Sequence, residues 1–289
     1  MSNAALIAIV GPTAAGKSAV AMDVAHRLGA EIVNADAFCL YRGMDIGTAK
    51  PSAADQAAVV HHLLDTHDVE DDVDVATYQV MARAAIEEII GRGTTALLVG
   101  GSGLYVQAVL DDLRFPGTDP RIRAELEDEL AALGPQVLHE RLSRTDPQAA
   151  AVILPTNGRR IVRALEVNAM GQRFQATLDE PKPWRPALRI GWDPGVESVD
   201  AAIAARVHAM WEAGFVEEVR ALAPRMGRTA SRAVGYRQIL EDPDAALEPT
   251  IIATRRLARR QRRWFRRDAG VQWAESSSRL RQILGRLET

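Results

Sequence analysis

Residues 6–18 read LIAIVGPTAAGKS, and this stretch decides the fold. The apolar run Ala5–Val10 predicts a buried strand, the segment Gly11–Gly16 breaks it, and Lys17–Leu28 regains helical periodicity. The pattern G-x-x-x-x-G-K-[ST] between a strand and a helix is typical of a phosphate-binding loop. In such a loop the backbone N–H groups converge on phosphate oxygens, the lysine reaches the terminal phosphate and the serine hydroxyl ligates Mg²⁺. We therefore predict that residues 11–18 bind a di- or triphosphate.

Two further strands are predicted outward from this loop. Residues Glu31–Asn34 form a short apolar run followed by Asp36, and Thr95–Val99 form another followed by the turn Gly100–Gly103. A helical pattern at Val75–Ile90 separates them. Buried strands that alternate with helices predict an α/β fold with a mainly parallel sheet flanked by helices. Ligands of such sheets bind at the carboxyl ends of the strands, where Asp36 and Ser102 follow.

The pattern changes after residue 114, where helices follow one another with no strand between them. We predict an all-helical insertion domain over residues 115–187, and a P-loop core built from residues 1–114 and 188–289 with basic helices at its carboxyl end. The remaining elements predicted are helices at 121–133, 136–144, 159–170, 199–222 and 250–267, and a strand at 188–192.

Composition excludes several classes of protein. The 289 residues are 47% apolar and 25% charged, which excludes a disordered or collagen-like chain, and no window is apolar enough to cross a membrane. The one cysteine, Cys39, excludes an internal disulfide and a cysteine zinc site. We expect a cytoplasmic monomer without a membrane partner.

Charge is unevenly distributed along the chain. The net charge is −3, yet residues 251–289 carry eleven arginines against three acidic residues. Most of these arginines lie in the predicted helix 250–267, where Trp264 and Phe265 fall on the apolar stripe and are predicted to be core. The arginines form either a solvated face or a contact for a polyanion.

The residues alone leave the chemistry open. Asp36 is either a general base or a helix N-cap, and Ser102 is either a site residue or a turn former. The loop alone suggests an ATPase or a small-molecule kinase. The strand ending at Val99 is followed by Gly100 and Gly101, not by the acid that orients Mg²⁺ in motor NTPases. The phosphorylated ligand therefore need not be a nucleotide.

At this point the chain resembles the tRNA dimethylallyltransferase family, also called tRNA isopentenyltransferases or IPP transferases. The resemblance rests on eight segments in the family's order: residues 11–18, 34–36, 41–51, 61–65, 99–105, 159–167, 235–238 and 254–265. The run Gly47–Pro51 is far more specific than a phosphate loop. The family's pattern has Ser and then Gln after the aspartate, whereas Ala37, Phe38 and Cys39 follow Asp36 here.

The resemblance implies transfer of a dimethylallyl group from dimethylallyl diphosphate to N6 of adenine 37, in tRNAs that read codons beginning with U. It implies Asp36 as the general base, Ser102 as the residue that positions the amine, and Arg237 as a diphosphate ligand. The diphosphate site is predicted to comprise Gly11, Thr13, Ala14, Ala15, Gly16, Lys17 and Ser18, with Mg²⁺ on Ser18. The tRNA site is predicted to comprise Asp36, Ala37, Phe38, Cys39, Ser102, Arg123, Arg159, Arg160, Ile161, Val162 and Arg163.

Three other functions compete with this one. The first is prenyl transfer to free adenine nucleotides, which the helical insertion and the basic carboxyl region disfavour. The second is a P-loop kinase of a small metabolite, which would consume ATP. The third is a non-catalytic RNA-binding module, which a complete phosphate loop and Asp36 disfavour.

Overall fold

Strand β1 (Leu6–Val10) lies inside a six-stranded sheet, and every one of its residues is buried. The computed structural model describes residues 5–175 and 182–285. The strand order is β3-β2-β4-β1-β5-β6 and all five neighbouring pairs are parallel, which confirms the predicted α/β class. The other strands are β2 (Glu31–Asn34), β3 (His61–His62), β4 (Ala96–Gly100), β5 (Leu188–Trp192) and β6 (Val271–Ala274).

The register of the sheet places the site loops along one edge. Val10 of β1 is opposite Gly100 of β4, and Asn34 of β2 is opposite Val99 of β4. The phosphate loop, Asp36 and Ser102 therefore follow the carboxyl ends of three adjacent strands. This is the edge at which open parallel sheets bind their ligands.

The chain forms two compact units. One contains the sheet and comprises the chain up to Asp111 and from Pro183 onward, and the other comprises Asp112–Lys182. This division lies near the domain boundaries predicted at residues 115 and 187. The helices of the sheet unit are α1 (Lys17–Leu28), α2 (Ala53–Ala58), α3 (Val75–Gly91), α4 (Gly103–Leu110), α8 (Val196–Glu212), α9 (Phe215–Leu222), α10 (Tyr236–Glu241), α11 (Leu247–Phe265) and α12 (Ser277–Leu284).

The second unit is helical over its described residues. Its helices are α5 (Pro120–Thr145), α6 (Pro147–Val152) and α7 (Gly158–Ala169). Gly134 has non-helical φ and ψ angles of 80° and 166° and precedes Pro135, so α5 consists of two helical segments, near the two predicted. Leu126, Leu142 and Ile161 belong to the core of this unit. Residues 176–181, which belong to the predicted insertion, lie outside the described residues.

Two local predictions were wrong. The helix predicted at 199–222 is two helices, α8 and α9, because Gly214 adopts a φ of 92° in the left-handed region. Strand β3 was missed because two residues are too few to show a strand period, and β6 was missed because Gln272 interrupts its apolar residues. In the described part of the chain no helix is long and apolar enough to cross a membrane.

Candidate active site

The phosphate loop is a tight turn between β1 and α1. Ala14 and Gly16 adopt left-handed φ angles of 61° and 89°, which turn successive backbone groups toward the same side. Gly11 has no room for a side chain, since a Cβ there would lie 2.2 Å from the carbonyl oxygen of Trp192. The Lys17 ammonium donates to the Pro12 carbonyl oxygen at 2.8 Å. The Lys17 side chain thus folds back over the phosphate loop.

Thr13 is held by two side chains from distant helices. Its N–H donates to Gln261 Oε1 at 2.8 Å, and its Oγ1 accepts from Arg206 Nη2 at 2.7 Å. Gln261 lies on α11 and Arg206 on α8. The Thr13 N–H already has an acceptor, so it is not one of the free amides that the loop offers to a phosphate.

Arg206 is a residue of this candidate site that sequence reasoning missed. Its Nε is buried without a hydrogen-bond partner among the described residues, so the guanidinium keeps an unused donor at the loop. One signal was present in the sequence, because Arg206 lies three residues after Ile203 and four before Met210, both of which face the core. An arginine beside a buried helical stripe is rarely without a partner, and here the partner is Thr13 of the phosphate loop.

The charges at the loop favour an anion. Burial lowers the pKa of Lys17 to about 8, with Asp36 opposing the shift and Arg206 adding to it. Burial also lowers the pKa of Arg206, against the influence of Asp36. Lys17 and Arg206 carry two positive charges next to the single carboxylate of Asp36. This desolvated region therefore has a net positive charge. An anionic ligand would relieve the repulsion between the two cations.

Asp36 begins a turn and does not cap a helix. Asn34 Oδ1 accepts the Asp36 N–H at 2.9 Å, and Asp36 Oδ1 accepts the Phe38 N–H at 3.0 Å. Ser102 precedes α4 without a side-chain cap bond, and its Oγ accepts the Ala37 N–H at 3.4 Å. Asp36 and Ser102, predicted to act together, are therefore joined through Ala37.

A cavity of about 70 Å³ opens beside these groups. Thr13, Asp36 and Arg206 form its polar wall. The other wall is mainly apolar and comprises Phe38, Val207, Met210, Phe215, Ala233, Val234 and Leu257, together with Gly47, Thr48, Tyr236, Thr250 and Thr254. A ligand with an anionic end and a short apolar end would fit this cavity, with its anionic end against the polar wall and its apolar end against the apolar wall.

Arg237, which the resemblance implies as a diphosphate ligand, lies on helix α10. Its side chain is 59% exposed and its Nε lies 3.5 Å from the Glu241 carboxylate on the same helix, α10. Arg237 is not among the residues that line the cavity. Arg206 is the guanidinium that contacts the phosphate loop in this structure, and the role of Arg237 as a diphosphate ligand stays a prediction.

Three residues predicted for the tRNA site have buried side chains. Ile161 and Val162 belong to the core of the helical unit, because they lie on the inner face of the amphipathic helix α7. Cys39 is also buried, and burial raises the pKa of its thiol well above the usual range. These three side chains therefore offer almost no surface to RNA in this conformation, and the part of their segments in tRNA binding stays a prediction. Ala37 and Phe38 are half-buried, and Phe38 lines the cavity.

Arg123 and Arg163 are engaged by one buried carboxylate, Glu166. Arg163 Nη1 donates to Glu166 Oε2 at 2.8 Å, and Arg123 forms an ion pair with the same oxygen. Burial alone would raise the pKa of Glu166, but hydrogen bonds from Arg123, Arg163 and Thr118 outweigh it and lower the pKa. Arg163 also donates to the Pro116 carbonyl oxygen at 2.6 Å. Arg159, in contrast, is exposed.

The basic helix α11 has two kinds of arginine. Arg262 is bound to Asp193 by two hydrogen bonds of 2.5 and 2.6 Å, and Arg259 pairs with Asp200 at 2.8 Å. Three others are exposed and lie at helical spacing on one face. This arginine stripe comprises Arg256, Arg260 and Arg263. Phe265 is buried, as predicted, and Trp264 is half-buried against the core.

The sheet, its loop and the cavity define a P-loop α/β protein whose site suits a phosphorylated ligand with an apolar end. A family model described as IPP transferase matches residues 39–268, which is most of the chain. The chain therefore belongs to the IPP transferase family, which confirms the resemblance.

Several tRNA dimethylallyltransferases are similar in sequence to this chain over nearly its whole length. A tRNA dimethylallyltransferase of Acidothermus cellulolyticus is 55% identical over 283 residues, covering 94% of this chain and 89% of the relative. One from Kineococcus radiotolerans is 54% identical over 287 residues, covering 94% and 90%. The crystal structure of the full-length tRNA isopentenylpyrophosphate transferase from Bacillus halodurans is 36% identical, with a TM-score of 0.70 over 98% of this chain and 94% of that one.

A more distant structure shares the fold. It is a eukaryotic dimethylallyltransferase acting on tRNA, 20% identical, with a TM-score of 0.77 over 98% of this chain and 77% of that one. The P-loop sheet and the fold around it are thus common to relatives of very different sequence.

Proposed function

We propose that this protein transfers a dimethylallyl group from dimethylallyl diphosphate to N6 of adenine 37 in tRNAs that read codons beginning with U. One observation carries the proposal. Arg206 and Asp36 lie in the polar wall of a small, mainly apolar cavity, and the Lys17 ammonium interacts electrostatically with both of them. The names of the relatives supply the chemical class, since the ones matched over most of the chain are tRNA dimethylallyltransferases.

The phosphate loop holds the diphosphate as a leaving group in this proposal. When the bond between C1 of the dimethylallyl group and the diphosphate oxygen breaks, the electron pair stays on the diphosphate. Lys17, Arg206 and the free amides of the loop stabilise the charge that develops there. The apolar wall, with Val207, Met210 and Leu257, takes the five-carbon chain and keeps water from the reacting carbon.

Asp36 accepts the proton of the acceptor amine. As the new bond forms between N6 and C1, the amine becomes acidic, and a carboxylate nearby can take its proton. Asp36 Oδ1 is engaged by the Phe38 N–H, which fixes the orientation of the carboxylate. Ser102, joined to the same turn through Ala37, positions the amine. For adenine to arrive there it must leave its stack in the anticodon loop.

Ser18 fits a Mg²⁺ ion bound together with the diphosphate. Its side chain is exposed in the first turn of α1, directly after Lys17, and a hydroxyl oxygen is a ligand that Mg²⁺ accepts. Mg²⁺ commonly takes one or two protein ligands and completes its shell with phosphate oxygens and water. When bound, it would neutralise charge on the leaving diphosphate.

The RNA contacts are assigned to exposed arginines. Arg159 on α7 and the arginine stripe of α11 present guanidinium groups to solvent, where phosphate oxygens of RNA can reach them. Arg123 and Arg163 have donors committed to Glu166 and serve RNA binding mainly by keeping their segment in place. We further propose that the protein is a monomer and that it works in the cytoplasm, where unmodified tRNA is present.

The acceptor test uses two tRNAs. Purified protein is incubated with labelled dimethylallyl diphosphate, Mg²⁺ and an unmodified tRNA, and with the same tRNA carrying guanine at position 37. We expect label in the first RNA only, recovered as N6-isopentenyladenosine. Label in both would contradict the assignment of the acceptor. Label in free adenine nucleotides, supplied in a parallel reaction, with none in either tRNA would favour the competing prenyltransferase.

A further inference from the structure

Helix α11 touches the phosphate loop through Gln261. This side chain is only 8% exposed, and its Oε1 accepts the Thr13 N–H at 2.8 Å. Thr13 and Gln261 are 248 residues apart in sequence, so the contact belongs to the tertiary structure. A buried amide that accepts from a loop N–H fixes the position of that loop.

The same helix touches the Gly100–Gly103 turn. A Cβ at Gly101 would lie 2.6 Å from Gln261 Nε2, and one at Gly103 would lie 2.4 Å from Trp264 Cδ1. Neither glycine has the left-handed backbone that demands glycine. Both are therefore glycines because α11 lies against them. Gln261 and Trp264 are three residues apart on one face of α11 and fill these two spaces.

Ser102 lies between the two glycines. Its Oγ accepts the Ala37 N–H at 3.4 Å, which joins the turn to the segment that carries Asp36. A continuous set of contacts thus runs from Thr13 through Gln261 and Gly101 to Ser102. One end of this set belongs to the diphosphate loop and the other to the place of the acceptor amine.

We propose that Gln261 is a positioning residue that fixes the distance between the leaving diphosphate and the acceptor amine. The inference rests on the proposed function. Displacement needs the nucleophile, carbon and leaving oxygen in line, and a misplacement of about 1 Å costs on the order of 100-fold in rate. The side chain touches neither substrate in this account. It acts by holding Thr13 and the Ser102 turn at a set separation.

The first experiment shortens the side chain by one methylene. The Gln261→Asn variant keeps the amide but does not reach Thr13, and Gln282→Asn on the exposed face of α12 is the matched control. With both substrates saturating, we expect the single-turnover rate of Gln261→Asn to fall about tenfold or more. The dissociation constants for dimethylallyl diphosphate and for tRNA, each measured alone, should change less than about threefold. A rate within twofold of wild type, or a loss explained entirely by weaker binding, would overturn the proposal.

The second experiment tests the contact itself. Gly101→Ala places a methyl group where Gln261 Nε2 lies, so it should lower stability on its own and be tolerated much better in combination with Gln261→Ala. Additive effects of the two substitutions on the free energy of unfolding would show that the residues do not share the space, and would overturn the proposal. This readout needs no activity, so it separates failure of the inference from failure of the proposed function, which an inactive wild-type protein would reveal.

Discussion

Raising the pH from 7 to 9 should weaken binding of dimethylallyl diphosphate to the free protein. Burial lowers the pKa of Lys17 to about 8, so this lysine is charged below that pH and neutral above it. The diphosphate prefers the charged form. Affinity is therefore nearly complete at pH 7 and is lost as the pH rises through 8, whereas an ordinary lysine with a pKa near 10.4 stays charged over this range and would give no such loss.

The size of the effect follows from the charged fraction. With a pKa of about 8, that fraction of Lys17 falls from about nine-tenths at pH 7 to about one-tenth at pH 9. If only the charged form binds well, the apparent dissociation constant rises by the inverse ratio, about tenfold. At pH 8 the bound lysine regains its full charge, so binding should take up roughly half a proton per site.

Isothermal titration calorimetry without tRNA measures both quantities. Titrations at several pH values give the dissociation constants, and buffers of different ionisation enthalpy give the proton uptake. Lys17→Arg is the matched control, because a guanidinium stays charged throughout this range, and it also corrects for ionisation of the ligand. A wild-type affinity that does not vary with pH, or a Lys17→Arg variant as pH-dependent as wild type, would refute the reasoning.

Three further predictions concern individual side chains. Asp36→Asn should slow single-turnover transfer about 100-fold or more with tRNA affinity nearly intact, and a rate within threefold of wild type would exclude Asp36 as the base. Arg206→Ala should raise the KM for dimethylallyl diphosphate and slow transfer, whereas Arg237→Ala should affect diphosphate binding much less; the reverse order would return the role to Arg237. Replacing Arg260 and Arg263 by Gln should reduce the slope of log affinity for tRNA against log salt by somewhat under one unit per lost contact, and an unchanged slope would mark a solvated face.

The parts of the site that are local in sequence could be predicted from it. The phosphate loop is one continuous stretch whose glycines, lysine and serine carry the chemistry, and the bounds of α1 at Lys17 and Leu28 agree with its periodicity. Asp36 and Ser102 could be predicted because the carboxyl ends of parallel strands share one edge. Their roles in catalysis stay predictions.

Contacts between distant helices and the loop could not be predicted. Arg206 and Gln261 reach Thr13 from helices 193 and 248 residues away, and helical periodicity says which residues are buried but not which loop they meet. Ile161 and Val162 lie beside arginines in the sequence, so the segment was predicted to contact tRNA. Only the packing of the helical unit shows that these two side chains face its core.

The most direct test of the central claim measures the release of diphosphate and the transfer of label to RNA in one reaction. Protein, labelled dimethylallyl diphosphate, Mg²⁺ and unmodified tRNA are mixed, and released diphosphate and RNA-bound label are measured in the same samples, with ATP present as a competitor. The account predicts equal amounts of the two products, none without tRNA, and no consumption of ATP. Consumption of ATP, or diphosphate release without label in RNA, would contradict it.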